Sequence, residues 1–413
     1  MTHLFAIGAA ALLLTVPTGA GAADWFPAWM ASPQPVWDQG FFFPTNLPDR
    51  LADRTVRQVA RIGIGGRRVR IVLSNAYGGG SVDIDAVHVA RSAGGDAVDP
   101  DSDRTLTFGG ARDARLLPGA ALLSDAVDLP VSAGQDLAVS IHFVSEPRIE
   151  TFHWDGRRTG YIAPGDHVSA PAFGATETMP VRLLLSTILV EQPDARGTVV
   201  VLGDSITDGA GATMEAETRW PDYLAARAAP HGIAVVNAGI SGARLLADRM
   251  GSNALARLDR DVLAQPHIAT LILMLGINDI AWPGTPLAPD EPPATFERLT
   301  TGYRQLVERA HAAGVRVIGA TLTPFAGALP DTPLGASYYS EEKDRLRHRV
   351  NAWIRDSGTF DAVVDFDRLL RDPADPSRLR GDYDTGDRLH PGDAGNKAMA
   401  DAIDLDALVP ARR

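Results

Sequence analysis

Val199-Val200-Val201-Leu202-Gly203-Asp204-Ser205-Ile206-Thr207-Asp208-Gly209 decides how this chain is read. Four apolar residues, three of them β-branched, stop abruptly at Gly-Asp-Ser. That pattern predicts a strand buried on both faces, running into a sharp turn. In open α/β sheets ligands sit beyond the carboxyl ends of the strands, so Ser205 stands where a nucleophile is needed. A serine after a strand is more often a turn or cap residue, and Gly-Asp-Ser alone does not displace that reading.

From Thr198 onward strands and helices alternate. Ile233 to Asn237, Ile268 to Leu275, Val315 to Leu322 and Ala362 to Phe366 are strand candidates. Between them Phe296, Leu299, Tyr303, Leu306, Val307 and Ala310 recur at helical spacing. Further helices are expected from about Ser340 to Arg355, with Leu346, Val350 and Trp353 on one face, and from about Ala394 to Ile403. This alternation implies a parallel sheet covered on both faces.

Upstream, about Asp24 to Gln192, the pattern is different. Val69, Ile71 and Leu73 alternate with Arg68, Arg70 and Val72, and Leu137, Val139, Ile141 and Phe143 with Ala138, Ser140 and His142. Turn signals such as Gly78-Gly79-Gly80 and Pro118-Gly119 separate many short strands. An antiparallel, jelly-roll-like β-sandwich is expected. Pro193, Asp194 and Gly197 break the pattern, which divides the chain into residues 24–195 and 196–413. Trp25, Trp29, Trp37 and Phe41-Phe42-Phe43 are expected to seal a core or domain interface. Asp99, Asp101 and Asp103 have calcium-loop spacing, but Arg104 stands where that loop needs Gly and Gly110 where it needs Glu; a solvated acidic turn is expected.

Composition narrows the function. The 413 residues carry a formal net charge of -12, which argues against a nucleic-acid partner. Lys occurs only at 343 and 397, a bias that fits a GC-rich genome. Without cysteine, thiolate nucleophiles, disulfides and Cys-ligated metals are excluded. An apolar run from Phe5 to Val16 followed by Gly19-Ala20-Gly21-Ala22-Ala23 reads as a signal peptide over residues 1–23. A secreted or periplasmic protein without stable membrane insertion after cleavage is expected; the run is short for a span. Oligomeric state is not legible.

Four separated blocks each end a strand or precede a helix: Gly203-Asp204-Ser205-Ile206, Asn237-Ala238-Gly239-Ile240-Ser241-Gly242, Gly276-Ile277-Asn278-Asp279 and Asp387-Arg388-Leu389-His390-Pro391. At strand ends they can converge on one crevice. Acyl transfer needs a hydroxyl with a base in reach, a group orienting the base, and donors for the developing oxyanion. Ser205, His390 and Asp387 have the right chemistry for the first two needs. Gly239, through its backbone N–H, and Asn278, through its amide, can serve the third. Ser241 is a rival hydroxyl but lacks the Gly-x-Ser-x-Gly elbow and reads as a turn serine. Asp204 and Asp279 read as supporting residues. His142, His153 and His267 read as ordinary histidines, and Arg219-Trp220 and Tyr338-Tyr339 as residues near the crevice.

The four blocks, in this order, resemble the SGNH hydrolase superfamily, also called GDSL lipases and esterases, over about residues 198–408. Thr55-Val56-Arg57-Gln58 and Leu73-Ser74-Asn75 look like the accessory domain of its secreted bacterial members. The resemblance implies a flavodoxin-like three-layer α/β/α core and a Ser205, His390, Asp387 triad working through an acyl-enzyme. It implies an oxyanion hole of Ser205, Gly239 and Asn278, with no metal or cofactor. The expected substrate is a small-molecule or polysaccharide ester, such as an acetylated sugar. The alternatives are a lysophospholipase-type lipid ester and, in another class, a non-catalytic carbohydrate-binding protein on a degenerate hydrolase fold.

Overall fold

The computed structural model describes residues 23–409; of the expected signal segment, residues 1–22 lie outside the described residues. No helix among the described residues is long and apolar enough to cross a membrane.

The N-terminal region is built of antiparallel strands. One sheet joins Trp25–Met30, Leu185–Glu191, Gly66–Ser74, Ala121–Leu123 and Val127–Val131; a larger one centres on Arg54–Arg61, Asp136–Phe143 and Ala86–Gly94. Val69, Ile71 and Leu73 point into the core shared by the sheets, with Val56, Val139 and Ile141 opposite. Arg70 turns outward onto the Trp25 ring. Simple alternation fails in Arg54–Arg61, where six consecutive residues are buried. The second face of that strand is covered too. Arg57 donates there to Ser140 Oγ at 2.8 Å and to the Ala170 carbonyl at 2.9 Å. The acidic turn is a single 3-10 turn, Pro100–Ser102, capped by Asp99; Asp103 is bound by His88.

The C-terminal region is a five-stranded parallel sheet. Its strands are β1 (Gly197–Gly203), β2 (Ile233–Gly239), β3 (Ile268–Met274), β4 (Arg316–Ala320) and β5 (Ala362–Val364), in the order β2-β1-β3-β4-β5. Every residue of β1 is buried, as its unbroken apolar run requires. The order reverses at β1, so the crevice beyond β1 and β3 is the topological switch point where such sheets bind ligands. Eight helices are described: α1 (Ser205–Asp208), α2 (Trp220–Ala228), α3 (Ala254–Leu258), α4 (Ile277–Ala281), α5 (Phe296–Ala312), α6 (Glu341–Asp356), α7 (Phe366–Leu370) and α8 (Asp393–Asp401). Helix α5 buries Leu299, Tyr303, Leu306, Val307 and Ala310 and starts at the Thr295 cap. Phe366, expected at the end of a strand, instead opens α7 because Asp365 caps that helix.

The two regions share a core. Trp25–Met30 packs on β2, and Phe26, Trp29, Trp37 and Phe41 belong to the same apolar cluster as Val200, Val236 and Ile240. Gln34 Nε2 donates to the Met250 carbonyl at 2.7 Å.

Candidate active site

Each motif residue is held by its local backbone. Gly203 ends β1 where a side chain would meet Thr207 and the Met274 carbonyl. Asp204 caps α1, its Oδ1 accepting from Ile206 N–H at 3.1 Å. This puts Ser205 on the first turn of α1, facing a cleft of ≈ 390 Å³. His390 comes from the loop before α8, and its Nε2 lies 2.8 Å from Ser205 Oγ. Its Nδ1 lies 2.6 Å from Asp387 Oδ2, while Asp387 Oδ1 accepts from the backbone N–H of Leu389 and His390. Burial would raise the Asp387 carboxyl. The His390 ring and those N–H groups outweigh it and hold the acid well below the usual carboxylate range. An ionised Asp387 accepts a hydrogen bond from Nδ1–H, which leaves the Nε2 lone pair for the serine hydroxyl.

Asn278 sits on α4 with its side chain fixed at both ends. Its Oδ1 accepts from Tyr338 OH at 2.7 Å, and one Nδ2 hydrogen goes to the Ala243 carbonyl at 3.0 Å. An amide carries two N–H bonds, so one remains for the cleft that Asn278 lines.

Gly239 requires a correction. Its N–H is not available to a substrate: it donates to Asn237 Oδ1 at 2.8 Å. Gly239 closes β2 against the Asp208 backbone and does not line the cleft. Gly242, three residues on, does. Its φ is +75°, and a side chain there would collide with Met250 and Trp282; only glycine fits. The N–H groups of Ser205 and Gly242 have no acceptor among the described residues. The β-strand continues two residues further than the motif's spacing suggested, so the exposed turn falls at Gly242.

The supporting acids act on the backbone. Asp279 accepts from Leu245 N–H at 2.7 Å and Leu246 N–H at 2.9 Å, holding the loop after β2. Burial pushes it up to about 6 despite those bonds. Asp204, fully buried with Oδ2 unpartnered, is pushed up to about 7.

Other expectations divide. Tyr338 lines the cleft, whereas Tyr339 packs edge-on to Phe325. Arg219 and Trp220 do not reach it: Arg219 pairs with Glu217 and Asp222, and Trp220 packs on Phe366. Ser241 lines the cleft, but its Oγ bonds Asp155 Oδ2 at 3.3 Å and meets no imidazole. His267 stacks on Phe26 and His142 contacts Asp85. His153 is no ordinary core histidine, since it binds Asp208 at the end of α1.

Sequence reasoning missed the opposite wall. Phe43, Asn46, Trp154, Asp155, Arg157 and Pro180, all from the N-terminal region, line the cleft. No spacing rule brings residues from these separate antiparallel segments to the end of a parallel strand much later in the chain. The apolar side chains of Trp282, Leu287, Leu329 and Leu334 line the same cleft. Among the described residues one group has metal-ligand character, Asp85, His142 and Asp166; none of the three lines the cleft.

The family model for the GDSL-like Lipase/Acylhydrolase family matches residues 201–398. No curated protein matches the chain. Similar solved structures include the M. smegmatis aryl esterase, 17% identical, TM-score 0.41, covering 52% of this chain and 100% of that one. Another is Est24, a carbohydrate acetylesterase from Sinorhizobium meliloti, 19% identical, TM-score 0.39, covering 51% and 97%. A third is a putative lipolytic protein of the G-D-S-L family from Desulfitobacterium hafniense, 22% identical, TM-score 0.37, covering 50% and 96%. Residues 201–398 form a GDSL-like lipase/acylhydrolase (SGNH) family domain, which marks the chain as a carboxylic ester hydrolase.

Proposed function

We propose that the chain hydrolyses esters through a Ser205-His390-Asp387 triad and an acyl-enzyme. The observation that carries this reading is the continuous relay Ser205 Oγ, His390 Nε2, His390 Nδ1, Asp387 Oδ2, with contacts of 2.8 and 2.6 Å. His390 takes the hydroxyl proton as Ser205 Oγ attacks the ester carbon. The oxyanion is met by the N–H groups of Ser205 and Gly242 and the free Nδ2 hydrogen of Asn278. His390 then gives the proton to the leaving alkoxide, Asp387 stabilising the imidazolium meanwhile. Water, activated by the same ring, releases the acid. Replacing Ser205 by Ala lowers kcat on p-nitrophenyl acetate by about 10⁴-fold or more; an unchanged rate removes Ser205 from the mechanism.

The substrate reading is a short acyl ester of a sugar or similar polyol. Trp154 and Phe43 offer aromatic faces, and Asn46, Asp155 and Arg157 offer hydrogen-bonding groups on the same wall. Arg157 donates to the Ala212 carbonyl, in the loop whose Gly211 abuts His390. The apolar wall of Trp282, Leu287, Leu329 and Leu334 favours a second reading, a longer acyl chain as in a lysophospholipid. Acetylated sugars and lysophospholipids assayed side by side separate the two: a higher kcat/KM on the lipid ester discards the first.

A further inference from the structure

A buried chain of contacts runs from the N-terminal β region to the loop after β2. His153 lies within the antiparallel strand Thr151–His153. Its Nδ1 is 3.0 Å from the Ser32 carbonyl and its Nε2 3.0 Å from Asp208 Oδ1. A carbonyl only accepts, so Nδ1 carries a proton; a hydrogen bond to the carboxylate then needs a proton on Nε2 as well. Two acceptors facing the two ring nitrogens suit the doubly protonated ring. Burial opposes that charge, and the Asp208 carboxylate outweighs the penalty and raises the ring above its ordinary value. Both side chains are almost fully buried.

Asp208 is the last residue of α1, the helix that begins at Ser205. Its second oxygen accepts from the Ser241 N–H at 2.7 Å. The Ser241 hydroxyl donates to Asp155 Oδ2 at 3.3 Å, again from the β region. Both polar handles of Ser241 are thereby held. Gly242, next along, has no side chain and an N–H without an acceptor among the described residues; the direction of that N–H follows the peptide it shares with Ser241.

We propose that His153 and Asp155 are positioning residues for the hydrolase. Through Asp208 and Ser241 they fix the Gly242 N–H at a set distance from Ser205, which makes the β region part of the machinery that stabilises the transition state. This rests on the reading of Gly242 as an oxyanion donor. Donors of this kind work when held before charge develops, and misplacement by about 1 Å can cost about 100-fold in rate.

The test uses the full chain with Ser241→Ala and His153→Gln, alongside Ser205→Ala. Steady-state kinetics on p-nitrophenyl acetate, inhibition by phenylboronic acid as a tetrahedral mimic, and thermal melting are measured on each. The expected result is a kcat loss of about 10- to 100-fold with KM nearly unchanged, and a weakening of boronic acid inhibition by the same factor. Folded Ser241→Ala and His153→Gln variants that retain wild-type kcat overturn the proposal, and so does a rise in KM at constant kcat. Should His153→Gln fail to fold, Ser241→Ala decides alone, since it deletes one hydroxyl on the cleft surface. An inactive Ser205→Ala beside unaffected positioning variants leaves the hydrolase reading intact; an active Ser205→Ala overturns both.

Discussion

The two regions meet at one cleft, but they reach it differently. The α/β region brings its residues by topology. Ser205, Asn278 and the loop after β2 all follow adjacent parallel strands, so strand order alone gathers them at the switch point. The β region brings Phe43, Trp154, Asp155 and Arg157 by docking, from loops and short strands with no common register. Chemistry carried by topology is robust and announces itself in sequence motifs. Chemistry carried by docking depends on the interface that holds it. The comparison predicts that the reactive groups fail one at a time, whereas the docked wall fails together with the fold.

The largest expected effect comes from removing the docked region. A chain of residues 196–413 exposes the face of β2 against which Trp25–Met30 packs and strips Asp208 of His153. Breaking a buried ion pair by removing one partner costs about 3–5 kcal/mol, a large part of the about 5–15 kcal/mol that holds a domain together. The fragment is expected to lack a cooperative melting transition and esterase activity. Circular dichroism melts and p-nitrophenyl acetate assays check this; a folded, active fragment would make the β region a detachable module and break the comparison.

What was legible follows the same division. The buried run Val199 to Leu202 and the helical stripe from Phe296 to Ala310 named their elements because burial on one or two faces imposes a period. Ser205, Asn278, His390 and Asp387 stand out in sequence because each sits in a short block of turn and cap residues, and the fold brings the four together. The sequence points to Gly239 and not to Gly242 because both are glycines of one block, and only the positive φ at Gly242 and the Asn237 bond to Gly239 tell them apart. His153 read as an ordinary histidine because its partner, Asp208, lies 55 positions away with no intervening pattern. The aromatic opening segment was expected at a core or interface. Trp29 and Trp37 are buried there, but Phe43 continues past them to the cleft.

A smaller effect sharpens the topological half of the comparison. If the proposed mechanism holds, replacing Asn278 by Ala removes one oxyanion donor and should lower kcat by about 10²–10³-fold. Tyr338→Phe removes only the hydroxyl that holds Asn278 Oδ1 at 2.7 Å. One net hydrogen bond is worth about 0.5–1.5 kcal/mol, so a kcat loss of up to about 10-fold is expected, with KM little changed. Combined with Asn278→Ala, the tyrosine change should add almost nothing, because its effect runs through the amide. Kinetics on the three variants test that; additive losses would give Tyr338 a role of its own in the cleft.

The smallest effect lies beneath Ser205. Asp204 is buried with one oxygen unpartnered and titrates at about 7 in the fold, against 3.8 ordinarily, because burial disfavours its charge. The raised value sets the sign. Between about pH 4 and 7 the folded protein holds a proton that the unfolded chain has released, so stability falls as pH rises through this window and stays low above it. Asp279, at about 6, slopes the same way, whereas Asp387, shifted downward from 3.8, gives stability that is lost progressively as pH falls below that value. Asp204→Asn keeps the oxygen that accepts from Ile206 N–H and removes the charge. Its melting temperature should exceed that of the wild type at pH 8, by a free energy of at most about 4 kcal/mol, and the gap should close towards pH 4, where the wild-type acid is already neutral. Melts across that range decide the matter. A gap independent of pH would mean that the gain comes from the new amide and not from the lost charge. The α/β region would then bear no charge cost beneath Ser205, unlike the compensated pair His153–Asp208 that joins it to the β region.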